Sequence, residues 1–201
     1  DQDDCRFAFT LGDVAGKGPA AALLSALLQG MFSLEAQGSA APASVVSRVN
    51  GALCRRAIEA RFATVFYGVL EPCGRLVYCN AGHNPPVVFG PSGVRRLEAG
   101  GPVVGLLSGA PYDDDAVQLA PGDRIVVFSD GVSEALSTTG EEFGDDRILA
   151  LLESAPAASA DMDATSLVEA LLAAVRVFTL GAPQGDDITA MVVRYRGPAT
   201  R

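Results

Sequence analysis

The chain has 201 residues, 49% of them hydrophobic, and a mean hydropathy of +0.26, enough to bury a sizeable core as one domain or a tight pair. A folded chain rather than a disordered one is expected. Asp and Glu number 24 against 15 Lys and Arg, a formal net charge of −9 and a pI near 4.5, which argues against nucleic acid as partner.

Residues 6–11 alternate and are rich in aromatic residues, which predicts a strand running into the turn Gly12-Asp13-Val14-Ala15-Gly16-Lys17-Gly18. Pro19 opens a helix to about residue 36, in which Leu23, Leu24, Leu27, Leu28, Met31 and Phe32 recur at helical spacing. A second helix is expected over 44–59, with Val46, Val49 and Leu53 on one face and Pro42 just ahead. Short strands follow at 63–70, 75–79, 86–89, 94–97, 117–119 and 124–129. Pro72-Cys73-Gly74, Pro91-Ser92-Gly93 and Pro121-Gly122-Asp123 are the turn signals between them, and connections this short imply antiparallel pairing. A helix near 146–152, a loop at 154–160, a longer helix marked by Leu167, Leu171, Val175 and Phe178, and a strand at 188–195 complete the chain. Helices placed early and late around antiparallel strands predict an α+β fold, with sheet on sheet and helices outside.

No stretch approaches the roughly 18 apolar residues of a membrane span, and Asp1-Gln2-Asp3-Asp4 is the reverse of a secretion signal. A soluble protein without a membrane span is expected. Cys5, Cys54, Cys73 and Cys79 are scattered without a CxxC pair, and His83 is the single histidine, so no Cys/His zinc set exists. The cysteines read as small core residues in a reducing cytoplasm.

Three acidic motifs stand at strand ends: Gly12-Asp13-Val14, Ser129-Asp130-Gly131 and Gly185-Asp186-Asp187. If the last two strands are antiparallel neighbours, Asp130 and Asp186 meet. Clustered carboxylates resist ionising unless a cation neutralises them, and aspartates beside glycines suit a hard cation such as Mg²⁺ or Mn²⁺. Each motif alone reads as an ordinary turn; only the set points to a metal. A phosphate-binding P-loop fails twice at Gly12 to Gly18: three residues rather than four precede Gly16-Lys17, and Gly18 follows the lysine. His83, in Gly82-His83-Asn84-Pro85-Pro86, reads as a structural turn residue rather than a general acid. Lys17 and Asp113-Asp114-Asp115 read as solvated.

These motifs, together with Asn80-Ala81-Gly82-His83-Asn84-Pro85-Pro86, Phe128-Ser129-Asp130-Gly131-Val132-Ser133-Glu134-Ala135, Phe143-Gly144 and Gly185-Asp186-Asp187-Ile188-Thr189, resemble in order the SpoIIE/RsbU type of bacterial serine phosphatase, within the metal-dependent type 2C protein phosphatases. The resemblance runs from about Phe7 to Arg194. It implies an α-β-β-α sandwich of two mainly antiparallel sheets, a two-ion Mn²⁺ or Mg²⁺ centre, and hydrolysis of phosphoserine or phosphothreonine on a protein. Position by position, it makes Asp13 the bridging carboxylate with the Val14 carbonyl beside it, Asp130 and Asp186 further metal ligands, and Asp187 a supporting neighbour. Residues 141–147 resemble the variable flap beside the active site.

The implied substrate is a phosphorylated STAS-domain anti-sigma-factor antagonist, and the implied setting a single phosphatase domain over 1–201 behind an upstream sensor domain. Family members carry one more metal-binding aspartate, in a Gly-Gly-Asp-type motif just before the point where this sequence starts. The sequence therefore either begins inside the domain or belongs to a catalytically silent relative that only binds its partner. A sheet edge without that strand would favour a homodimer.

Overall fold

The computed structural model describes residues 6–55, 62–91, 93–154 and 162–198. In chain order these form β1 (Phe7–Val14), α1 (Pro19–Glu35), α2 (Pro42–Cys54), β2 (Ala63–Leu70), β3 (Arg75–Ala81), β4 (Val87–Gly90), β5 (Gly93–Arg96), β6 (Gly100–Gly101), β7 (Asp115–Gln118), β8 (Arg124–Phe128), α3 (Asp130–Ser133), α4 (Gly144–Glu153), α5 (Ala164–Phe178) and β9 (Ala190–Arg194). Two compact units share them: the first takes residues 1–83, 97–118 and 198–201, the second 84–96 and 119–197. Each has one sheet and its own helices, so the α+β class expected from the sequence is the class observed. Among the described residues no helix is long and apolar enough to cross a membrane.

In the first unit the sheet order is β1-β2-β3-β6, with β7 also on β3. The strand β1 is paired antiparallel along its whole length, from Phe7↔Leu70 to Val14↔Ala63, so Gly12 and Asp13 lie inside the strand rather than in the turn expected for them. Gly12 permits this: a Cβ there would stand 2.9 Å from the Thr64 carbonyl oxygen. Both helices open on proline, which lacks only an N–H that the first turn does not need. The side chains of Leu24, Leu28 and Phe32 on α1 pack with Val45, Val46, Val49 and Leu53 of α2 against Val65 and Tyr67 of β2. Their spacing of four residues puts them on one face. Leu23 lies off that face and is 72% exposed, while Leu27 and Met31 pack at its margin, so the buried stripe is narrower than the six residues expected.

Two features here depend on long-range contacts with no local signature. The Asp113-Asp114-Asp115 run is exposed, as expected, and two of its members also anchor the fold: Asp114 accepts the Ala43 N–H in the first turn of α2, and Asp115 accepts the Tyr78 hydroxyl at 3.1 Å. The diglycine β6 runs parallel to β3, and a Cβ on Gly100 would lie 1.9 Å from the Asn80 carbonyl oxygen. Glycine is required by proximity, not by strand propensity. The expected helix over 44–59 starts at Pro42 and ends at Cys54, with 56–61 outside the described residues.

The cysteines divide. Cys79 is fully buried, and burial, with Asp114 and Asp113 contributing, pushes its thiol up to about 12. Cys54 is half-buried and Cys73 exposed, because it sits in the tight β2–β3 turn, so it is no core residue as expected; Cys5 lies outside the described residues.

In the second unit the order is β5-β4-β8-β9, antiparallel throughout. Since β7 belongs to the first sheet and β8 to the second, Pro121-Gly122-Asp123 is not a hairpin turn as the spacing suggested. All five residues of β8 are buried, as a central strand covered on both faces requires. Ile148 and Leu152 of α4 and Leu167, Leu171 and Val175 of α5 pack with Val126 and Phe128. Asp163 starts α5 by accepting the Ser166 N–H at 2.7 Å. The loop expected at 154–160 lies, beyond Ser154, outside the described residues.

Candidate functional site

The end of the β8–β9 pair is built by one hydroxyl. Ser129, 3% exposed, receives the Thr189 N–H on its Oγ at 3.1 Å and donates to the Asp187 carbonyl at 3.2 Å. Its own N–H reaches the Thr189 carbonyl at 3.0 Å. This ties the exit of one strand to the entry of the other, and the residues after Ser129 turn at once into the short α3 with Asp130 in its first turn. Gly131 has to be glycine, since a Cβ would stand 2.2 Å from the Asp187 carbonyl oxygen. The antiparallel neighbours assumed from the sequence are therefore present, with Asp130 on one side of the lock and Asp186 on the other.

Backbone groups orient both carboxylates. Asp130 Oδ1 accepts the Gly131 N–H at 2.8 Å; Asp186 Oδ1 accepts the Asp187 N–H at 2.9 Å, while Gln184 holds the Asp186 carbonyl at 2.8 Å. Asp130 is half-buried, Asp186 and Asp187 exposed. A third acid belongs here. Burial, together with Asp130, Glu142 and Asp186, lifts the Glu134 carboxyl above its ordinary range. Its pKa records negative charge gathered at this end of the sheet, which the sequence displayed only as the last acid of Ser129-Asp130-Gly131-Val132-Ser133-Glu134.

The flap-like residues 141–147 are fastened down. Arg147 donates to the Glu142 and Phe143 carbonyls at 3.1 and 2.9 Å, pairs with Glu141 at 2.6 Å, and lies 4.6 Å from the Phe178 ring centre. Beside them is a cleft of about 460 Å³ whose lining includes Asn84, Ser133, Glu134 and Glu142.

Asp13 and Val14 belong to the first unit, at the end of β1 opposite Thr64 and Ala63. His83 is 5% exposed, its Nδ1 2.9 Å from the Thr64 hydroxyl, its N–H on Asn80 Oδ1 and its carbonyl receiving Asn80 Nδ2. The single histidine is thus built into the wall behind β2. Lys17 is exposed.

The donor set is hard oxygen throughout, the chemistry that suits Mg²⁺ or Mn²⁺. Among the described residues no group of three or more His, Cys, Asp or Glu side chains could by itself hold a metal ion. What the second unit shows is two aspartates oriented by backbone N–H groups, with the raised Glu134 carboxyl beside them.

The family model described as Stage II sporulation protein E (SpoIIE) matches residues 3–196. The chain belongs to the SpoIIE family. Protein IcfG of Synechocystis sp. is 34% identical over 139 residues, 68% of this chain and 21% of that protein. Phosphoserine phosphatase RsbU of Bacillus subtilis is 31% identical over 190 residues, 92% of this chain and 55% of that protein. This SpoIIE-family chain thus spans about a fifth to about half the length of these relatives. Among solved structures, the PP2C phosphatase domain of SpoIIE from Bacillus subtilis with a fragment of its regulatory domain superposes with a TM-score of 0.80 at 18% identity, covering 94% of this chain and 53% of that one. RsbX in complex with magnesium gives 0.64 at 20% identity, covering 94% and 81%. The fold is the PP2C fold.

Proposed function

We propose that this SpoIIE-family chain is a metal-dependent protein serine/threonine phosphatase. It acts in the cytoplasm on a regulatory phosphoprotein, a phosphorylated STAS-domain anti-sigma-factor antagonist. Family membership and the phosphoserine phosphatase RsbU support the reaction class, and RsbX with magnesium supports the metal. The observation that carries the reading is the Ser129 lock, which sets Asp130 and Asp186 at one end of the second sheet with their carboxylates held by backbone N–H groups.

Asp130 and Asp186, with Asp13 and the Val14 carbonyl, are the groups to hold two Mn²⁺ or Mg²⁺ ions, and Asp187 supports them. Bound there, the ions supply an activated water and offset charge on the phosphoryl oxygens. The chain's own contribution is placement. Ser129 prevents the strand ends from sliding, Gly131 lets α3 approach the Asp187 backbone, and the Asp187 N–H fixes the rotamer of Asp186.

The test is turnover of an aryl phosphate and of a phosphorylated STAS protein across a Mn²⁺ series, with Asp130→Asn and Asp186→Asn beside wild type, and Mn²⁺ calorimetry on all three. Turnover that follows Mn²⁺ in wild type, with metal binding weakened in both variants, is expected. Unchanged Mn²⁺ affinity in both variants would sink the ligand assignment. Partner binding without turnover at any Mn²⁺ concentration would establish the silent binding domain instead.

A further inference from the structure

A cleft of about 640 Å³ opens beside Asp186, entirely within the second unit. Its walls are of two kinds. Leu136, Leu172 and Ile188 make an apolar side, and Glu134 and Asp186 an acidic one. One cation lines it: Arg176, exposed, in the last turn of α5.

Arg176 differs from the two arginines of the second unit that are paired with acids. Arg96 and Arg147 each hold a carboxylate, at 2.7 and 2.6 Å, as do Arg48 and Arg75 in the first unit. Among the described residues no carboxylate pairs with Arg176, in a chain whose acids outnumber its bases. Its place at a helix C-terminus favours a cation through the helix dipole, yet leaves the planar fork of donors open. A guanidinium in that state is suited to a carboxylate brought in from outside.

The size of the cleft narrows the occupant. About 640 Å³ corresponds to an edge of roughly 9 Å, which an extended chain crosses in two to three residues. A phosphate group alone would fill little of it and would have no use for the leucine wall. A peptide segment uses all three features, placing an aliphatic side chain on Leu136 and Leu172 and an acid on Arg176.

We propose that this cleft receives the polypeptide flanking the phosphoserine, and that Arg176 selects substrates with an acidic side chain within about two residues of it. The inference rests on the phosphatase reading and adds to it the chemical class of the substrate. Arg176 is a specificity-determining residue, and its contribution is read as a ratio between substrates.

The experiment uses phosphoserine peptides identical except for Asp or Lys at one flanking position, scanned over two residues on either side. Wild type is expected to favour the Asp peptide by about tenfold or more in kcat/KM at one position, the range of a charge-assisted hydrogen bond. Arg176→Glu is expected to invert that ratio, and Arg176→Gln to flatten it. An indifferent wild type, or a loss equal on both peptides in either variant, overturns the proposal. Failure of wild type to hydrolyse any phosphopeptide strikes the phosphatase reading alone, and the Asp/Lys ratio is then read from peptide Kd values by calorimetry. An absent preference there overturns the cleft assignment on its own.

Discussion

Gly131→Ala is the sharpest probe of the site's construction. The added methyl would stand 2.2 Å from the Asp187 carbonyl oxygen and 2.9 Å from its carbon, both backbone atoms, where real contacts stay beyond 3.0 Å. Gly131 does not have a positive φ, so its backbone conformation is open to alanine and the cost is contact alone. Relief requires α3 and the entry to β9 to part by close to an ångström, through the hydrogen bonds of Ser129. Overpacking of this kind costs about 2–3 kcal/mol, and for a chain of this size each kcal/mol moves Tm by about 2–4 °C. The expected fall is therefore about 4–12 °C in a thermal melt. The same displacement separates Asp130 from Asp186, and misplacement on that scale is expected to lower turnover about 100-fold. Gly185→Ala is the internal control. Nothing lies within 4 Å of its added Cβ, and its stability is expected to stay within about 0.5 kcal/mol of wild type. A Gly131→Ala protein that melts with wild type and Gly185→Ala would refute the close approach of Gly131 to Asp187.

Three further outcomes follow from particular contacts. Raised above its ordinary value of 4.5, the Glu134 carboxyl holds its proton more tightly in the folded than in the unfolded state, so stability is lost as pH rises through the raised pKa. Glu134→Gln in EDTA is thus expected to exceed wild type in urea midpoint at neutral pH and to match it near about pH 3; an equal gap at both pH values would disprove the charge clustering. Asp114→Ala removes the acceptor at the start of α2 and is expected to cost about 0.5–2 kcal/mol in urea unfolding, and no loss would mean that α2 does not depend on it. Leu28→Ala should cost about 2–5 kcal/mol where Leu23→Ala costs under about 0.5 kcal/mol, and similar losses would mean that the buried face of α1 is assigned wrongly.

How much of this was legible in the sequence depended on whether a feature declares itself locally. The strand β2 was read end to end because apolar and β-branched residues fill 63–70 between clear breaks. The pairing of β8 with β9 was inferred from two apolar runs flanked by acids, and the structure has that antiparallel pair. Leu23 could not be told from Leu24 by periodicity alone, since both fit a 3.6-residue stripe and only packing on α2 and β2 chooses between them. Asp114 capping an amide 71 residues away, or Gly100 against the Asn80 backbone, carries no periodic or compositional signal at all. Arg176 is the same kind of case: its meaning comes from what does not surround it.

The chain order of the strands also bears on how the protein emerges from the ribosome. Among the described residues, every strand of the first sheet has been made once β7 ends at Gln118. The second sheet takes β4 and β5 from residues made earlier, yet its central strand β8 must wait for β9, at 190–194, to cover its other edge. Until β9 is synthesised, Ile125, Val126, Val127 and Phe128 form an apolar strand with one row of backbone groups open to any passing partner. A chain cut before Ala190 is therefore threatened by aggregation of β8 more than by loss of the first sheet, and chaperone shielding should matter most in the interval between synthesis of β8 and of β9.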